Sequence, residues 1–216
     1  MRAAMAVVLV IGAGLLNGCG SPRPITYYGI QIPAAPAPAG YTYPVEIVVG
    51  RVSGPALLES SPIVYKTGPN VIGTYQYHRW TDAPVDMVQA KLTRMLRTSG
   101  QFQSVTTQGS GPSGDLVIRG RLYEFSEVDG DAITGLVSME FELYNRKTAK
   151  ILWSHFYSQT EPVPAKQVPA VAQALDRNLD RGLQEVLTGL KTYLASNPPI
   201  EAITPSRQGL NEAKAK

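Results

Sequence analysis

The single cysteine, Cys19, constrains the fold of this chain more than any other residue, because it closes an apolar leader and leaves no second thiol. The apolar stretch runs from Ala6 to Leu16, and the small residue Gly18 directly precedes the thiol. This order is typical of bacterial lipoprotein signals, in which the cysteine takes a diacylglycerol and the chain is cleaved in front of it. We therefore expect lipidation at Cys19 and a fold that rests on its apolar core rather than on disulfides.

The rest of the chain predicts one domain with a tether and a tail. The leader is shorter than the stretch of about 20 apolar residues that a bilayer span needs, and no later segment approaches that length. Proline and alanine are frequent up to Tyr43, which favours an extended spacer. We predict a signal peptide at 1–18, a lipidated tether at 19–43, a single periplasmic domain at 44–196 and a disordered polar tail at 197–216.

The charge balance argues against nucleic acid as a partner. The formal net charge of +3 falls to +2 when the leader is removed, because Arg2 is its one charged side chain. Runs of lysine or arginine of the kind that track phosphates are absent from the sequence.

The middle of the chain predicts an α+β fold with a mostly antiparallel or mixed sheet and two packed helices. The clearest strand alternates Val137, Met139, Phe141 and Leu143 with polar residues on the opposite face. A Gly-Pro-Asn turn at 68–70 predicts a hairpin. The predicted strands are 25–30, placed at a sheet edge or on a neighbouring subunit, then 45–52, 61–66, 71–77 and 102–107, and finally an antiparallel meander of 116–125, 137–144 and 151–158.

Two helices are predicted from apolar stripes with a period near 3.6 residues. The first has Thr81 or Asp82 as its cap and Pro84 in its first turn, and a Ser-Gly pair ends it. The second is long, and Gly182 and Gly189 interrupt its stripe. Its apolar positions are Val171, Ala174, Leu175, Leu179, Leu183, Val186, Leu187, Leu190 and Leu194.

Catalytic and metal-binding constellations are poorly represented in the sequence. The two histidines, His78 and His155, lie in no motif with a nucleophile or with spaced carboxylates. Catalytic zinc usually takes three protein ligands, so we expect no metal site, and no motif indicates a cofactor. The acidic residues between Glu124 and Asp131 surround a predicted turn, where solvated acids are ordinary. We therefore expect no enzymatic activity.

The most distinctive segment is the junction of a strand with the first helix. Tyr75, Tyr77, Arg79 and Trp80 bring aromatic and cationic side chains together there, and such side chains are enriched in interface hot spots. We take them as candidates for a protein–protein contact. The alternative is that Trp80 and Tyr77 cover the core while Arg79 pairs with a nearby acid, and both uses can hold together.

Several of these residues carry a resemblance to a known family. The lipobox at Cys19, Tyr27-Tyr28, the strand Pro62 to Tyr65 and the segment Tyr77 to Pro84 follow in the order found in ABC-type transport auxiliary lipoproteins. This family includes the paraquat-inducible lipoprotein that works with membrane-spanning mammalian-cell-entry (MCE) proteins. The resemblance implies an outer-membrane lipoprotein that faces the periplasm, docks an MCE partner and forms a homo-oligomer.

The sequence is compatible with three functions. The leading expectation is a non-enzymatic subunit of an envelope lipid-transport system. The alternative is a self-contained periplasmic lipid carrier, which needs an apolar cavity of about 300–1,000 Å³. The third is an enzyme acting on envelope glycans or lipids, which needs a deep pocket with converging acids.

Overall fold

The structure, a computed structural model, describes residues 23–35, 38, 40–110 and 114–198. Cys19, the predicted signal peptide and nearly all of the predicted polar tail lie outside the described residues. None of the described helices is long and apolar enough to cross a membrane.

The described residues form an α+β fold with one mixed sheet of eight strands and two helices, as the sequence predicts. The strands are β1 Thr26–Tyr28, β2 Tyr43–Ser53, β3 Pro62–Gly68, β4 Val71–Trp80, β5 Phe102–Thr107, β6 Leu116–Val128, β7 Thr134–Asn145 and β8 Lys150–Pro162. The helices are α1 Pro84–Thr98 and α2 Val168–Ser196.

Strand β6 organises the sheet, because it is paired along both of its edges. One edge pairs antiparallel with β7 over its whole length, and β7 pairs with β8, which confirms the predicted meander. The other edge pairs in parallel with β2 along its first half and with β3 along its second half. Strand β5 then extends β2, and the predicted β3–β4 hairpin extends the sheet towards β1. The parallel pairings join segments that are distant in sequence, and local patterns do not encode them.

Both helices pack on the same face of the sheet and close a single apolar core. The alternating apolar residues of β7 are all buried, and so is the stripe of α2 apart from the partly buried Leu187. The two helices are also joined by Lys91, whose buried ammonium lies 2.8 Å from Asp176 Oδ1 and 3.2 Å from Asp180 Oδ1.

The two glycines that interrupt the stripe of α2 mark its closest approach to the sheet. A Cβ atom at Gly182 would lie 2.7 Å from Cδ1 of Tyr157, and one at Gly189 would lie 2.7 Å from Cζ2 of Trp153. Real Cβ atoms do not come this close to other heavy atoms, so only glycine permits this helix–sheet distance. The interruption of the stripe therefore reflects close packing against β8 rather than an exposed face.

Part of the predicted tether lies on the domain instead of acting as a spacer. Strand β1 pairs with β4, and the backbone N–H of Gln31 donates to Asp176 Oδ2 at 3.2 Å. Arg94 then donates to the carbonyl oxygen of Pro33, at 2.8 Å, and to that of Ala35. We call residues 26–35 the strap. It is held down because Arg94 pairs carbonyl groups that this extended chain cannot pair by itself.

Candidate functional site

Strand β4 carries the residues proposed for a protein contact, and Tyr75 lies on its helix-facing side. The Tyr75 hydroxyl donates to Glu127 Oε2 at 2.8 Å, and Glu127 is 6% exposed. Burial of the ring, and then this hydrogen bond, raise the pKa of Tyr75 well above its ordinary value. The hydroxyl therefore stays protonated and acts as a fixed donor to a carboxylate.

An aromatic cluster continues from Tyr75 to the strap. The ring centroid of Tyr75 lies 5.0 Å from that of Tyr65 and, edge-on, 5.7 Å from that of His78. The hydroxyl of Tyr28 is 3.0 Å from His78 Nδ1, and burial raises the pKa of Tyr28. These contacts join β1, β3 and β4 and hold the edge of the sheet in place. They give His78 a structural role, in keeping with its lack of a catalytic motif.

A cleft of about 570 Å³ separates the β3–β4 hairpin from the start of α2. Its walls are polar as well as aromatic, and include Glu127, Asp129 and Lys166. Lys166 Nζ is 3.9 Å from Asp129 Oδ1, and Lys66 forms an ion pair with Glu124 nearby. The acidic residues around the predicted turn are thus largely paired with cations or with Tyr75. Among the described residues, no group of three His, Cys, Asp or Glu side chains could hold a metal ion.

Trp80 lies in the core and not on the surface. Its side chain is 0% exposed, and its ring centroid is 5.2 Å from that of Phe125. A fully buried side chain cannot touch a partner, so the prediction that Trp80 contacts a partner directly is wrong. The alternative that it covers the core holds, because an indole ring here buries more apolar surface than any other side chain of the segment.

Tyr75, Tyr77 and Arg79 are the members of the predicted contact that remain partly exposed. The guanidinium of Arg23 lies over the Tyr77 ring at 5.9 Å from its centroid. Arg79 is in register with Tyr27 of β1, and it forms no ion pair with another described residue. Its Nε is buried without a hydrogen-bond partner among the described residues. The structure therefore brings Tyr75, Tyr77 and Arg79 to one edge of the sheet and places Trp80 beneath them.

Two exposed apolar residues at the tip of the β3–β4 hairpin were not singled out from the sequence. Val71 is 57% exposed and Ile72 is 51% exposed. They were predicted only as strand residues. Their position directly after the Gly-Pro-Asn turn is the sequence signal that could have identified them as a tip.

A match to a family model identifies the family of this chain. Residues 28–186 match the model of the ABC-type transport auxiliary lipoprotein component. The chain belongs to this family. The match contains the aromatic edge, the β3–β4 hairpin, both sides of the cleft and two thirds of α2, and it begins after Cys19 and Tyr27. The family comprises membrane-anchored lipoproteins of ABC-type transport, and its description names no catalytic activity.

Solved structures confirm the fold of this auxiliary lipoprotein. A DUF330 protein from Xanthomonas campestris has a TM-score of 0.68 at 18% identity, with 79% of this chain and 96% of that chain covered. An uncharacterized protein has a TM-score of 0.62 at 11% identity, with 78% and 99% covered. At these identities the likeness concerns the fold alone. No curated protein matches the chain.

Proposed function

We propose that this protein is a non-enzymatic, periplasm-facing subunit of an ABC/MCE-type intermembrane lipid transport system. In this proposal a diacylglycerol on Cys19 anchors it in the outer membrane, and the folded domain docks an MCE-domain membrane protein as a homo-oligomer. The observation that carries the proposal is the family match over residues 28–186, which covers nearly the whole domain.

The character of the cleft supports docking over the alternative of a self-contained lipid carrier. A carrier needs an enclosed apolar cavity, because an acyl chain left against polar walls gains little from burial. The cleft beside Tyr75 is open, and Glu127, Asp129 and Lys166 contribute to its lining. The space between the sheet and the helices is filled by the side chains of one continuous core.

The proposed partner contact is the edge formed by Tyr75, Tyr77 and Arg79. Tyr77 and Arg79 offer partly exposed aromatic and cationic surface, and the buried Trp80 fixes the strand that presents them. A rigid aromatic residue loses little conformational entropy on binding, which suits it to a contact of this kind.

The contact is tested with a double variant, Tyr77→Ala with Arg79→Ala, in a pull-down of the MCE partner from detergent extracts. The matched control is Tyr123→Ala with Arg121→Ala, which removes another exposed aromatic–arginine pair, with the Arg121 guanidinium 5.6 Å from the ring centroid of Tyr123. We expect at least a tenfold loss of captured partner for the first pair and little change for the control. Equal capture by both folded variants would sink the contact assignment.

The anchor is tested separately by intact mass measurement of the purified mature protein. The expected mass is that of residues 19–216 plus a diacylglycerol and an amide-linked acyl chain. The Cys19→Ser variant is expected to lack these additions and to leave the membrane fraction. A wild-type protein without acyl chains would contradict the anchor.

A further inference from the structure

The direction of β1 shows where the anchored end of the chain leaves the domain. Strand β1 is parallel to β4, with Thr26 opposite His78 and Tyr28 opposite Trp80. Further back along the chain, Arg23 lies over Tyr77. The chain therefore runs backwards from β1 towards the tip of the β3–β4 hairpin and away from the start of α1.

The length of the chain limits how far the anchor can lie from the hairpin tip. Three residues separate Cys19 from Arg23, and an extended chain covers at most about 3.6 Å per residue, so the two Cα atoms lie within about 14 Å of each other. Tyr77 and Ile72 are five strand residues apart, which corresponds to about 17 Å. A membrane that holds the acyl chains of Cys19 is therefore within reach of the tip.

The surface of the tip has the composition of a membrane-contacting loop. Residues 67–72 contain no charged side chain, and Val71 and Ile72 are exposed at their end. Exposed apolar residues at the end of an uncharged turn suit the boundary between headgroups and acyl chains. Insertion of such residues into the membrane is favourable, because it removes their apolar surface from water.

We infer that the hairpin tip rests on the lipid surface and fixes the orientation of the domain. The inference rests on the lipidation of Cys19 proposed above. With the tip on the membrane, the opposite end of the sheet points into the periplasm. That end carries the β7–β8 turn with Arg146, Lys147 and Lys150, and it lies about 40 Å away, the length of the 13 residues of β6.

The test uses the fact that Cys19 is the only cysteine, so that one introduced thiol in the lipidated protein is unique. Ile72→Cys probes the tip, and Ile151→Cys is the matched control at the other end, because the two isoleucines are 51% and 52% exposed. Each variant carries a polarity-sensitive fluorophore. The full mature protein is placed in phosphatidylethanolamine–phosphatidylglycerol vesicles with and without nitroxide-labelled lipid.

The inference predicts at least twofold quenching and a blue-shifted emission for the label at 72, and no change at 151. Equal quenching at both positions, quenching at neither, or stronger quenching at 151 through the basic turn would each overturn it. A second variant, Val71→Ser with Ile72→Ser, is expected to abolish quenching of a label at Asn70→Cys, an exposed residue of the same tip. These substitutions are at exposed positions, so the fold should be retained, and undiminished quenching would count against the inference.

Two controls separate this result from the proposed function. The mass of the same sample reports lipidation, and its absence would overturn the anchor and the inference together. The MCE pull-down changes different residues, Tyr77 and Arg79, so a failure of docking is distinguishable from a failure of membrane contact.

Discussion

At the scale of single residues, Asn178 shows how a polar side chain can fasten a helix to a sheet. It is fully buried, and its Nδ2 donates to the carbonyl oxygens of Gly135, at 2.9 Å, and Gln159, at 2.7 Å. Its Oδ1 accepts from the Tyr157 hydroxyl at 2.6 Å. The side chain thus joins α2 to β7 and β8 at one point. A sequence pattern does not predict this role, since a lone asparagine beside an apolar stripe is indistinguishable from a surface residue.

Asn178→Ala is expected to lower the free energy of unfolding by about 2–4 kcal/mol, because buried groups on two strands lose their partners. Urea denaturation monitored by circular dichroism measures this. The control Gln173→Ala lies on the exposed side of α2 and should change stability by less than about 0.5 kcal/mol. A similar small effect at Asn178 would show that water replaces the side chain.

Glu161 makes stability depend on pH in the acid range. Its carboxylate accepts from Arg181 at 2.6 Å and from Arg177 at 3.1 Å, and mainly the Arg181 hydrogen bond lowers the pKa of Glu161 below 4.5. A carboxyl whose pKa is lower in the folded than in the unfolded chain stabilises the fold at pH values above the unfolded pKa. This stabilisation is lost as the pH falls through the pKa of the folded state. We expect the loss of stability between about pH 5 and 3 to be less steep in Glu161→Gln than in wild type. Urea midpoints at several pH values test this, with Glu59→Gln as the surface control, and parallel curves would contradict it.

At the scale of elements, the sequence predicts those parts of the fold that have a local period. The alternation of β7 and the stripes of α1 and α2 identify their faces, because burial on one side leaves a repeat of 2 or 3.6 residues. The residue at which α1 starts does not follow from such a local repeat. The N-cap of this helix is Ala83, with no side-chain cap, in place of Thr81 or Asp82. Pro84 follows, and it has no N–H that needs a cap.

Gly182→Ala tests the close packing of α2. Alanine favours a helix over glycine by about 1 kcal/mol, whereas overpacking a tight contact costs about 1–3 kcal/mol. The Tyr157 ring is held by hydrogen bonds to Asn178 and cannot easily move. We therefore expect a net loss of about 1–2 kcal/mol in urea denaturation, with Gln184→Ala as the exposed control. A stabilised Gly182→Ala variant would mean that the helix shifts freely.

The strap was the element least visible in the sequence, since its composition is that of a spacer and its attachment depends on a distant arginine. Arg94→Ala is expected to raise amide hydrogen exchange at residues 31–35 at least tenfold, while the β6–β7 core is unchanged. Arg97→Ala is the matched control, because its Nε donates to Val105 O of β5 at 2.9 Å rather than to a carbonyl of the strap. Unaltered exchange in the strap would show that Arg94 does not hold it.

At the scale of the whole molecule, the sequence predicts which segment forms the candidate edge, but not which of its side chains are buried and which are exposed. Tyr75, Tyr77, Arg79 and Trp80 alternate along a strand, and a bulge against β3 decides which of them faces inward. Such an irregularity depends on how two strands meet, so a residue-by-residue pattern cannot supply it. The structure assigns Trp80 to the core and Tyr75 to the cleft, and it leaves Tyr77 and Arg79 at the surface.

We propose that this lipoprotein works as an accessory within an assembly. The most direct test of this proposal is a pull-down of the tagged, lipidated protein from detergent extracts of its own host. Mass spectrometry identifies what is recovered, and light scattering measures the size of the bait. We expect recovery of an MCE-domain protein together with a multimeric bait. A monomer recovered with no envelope partner would contradict it.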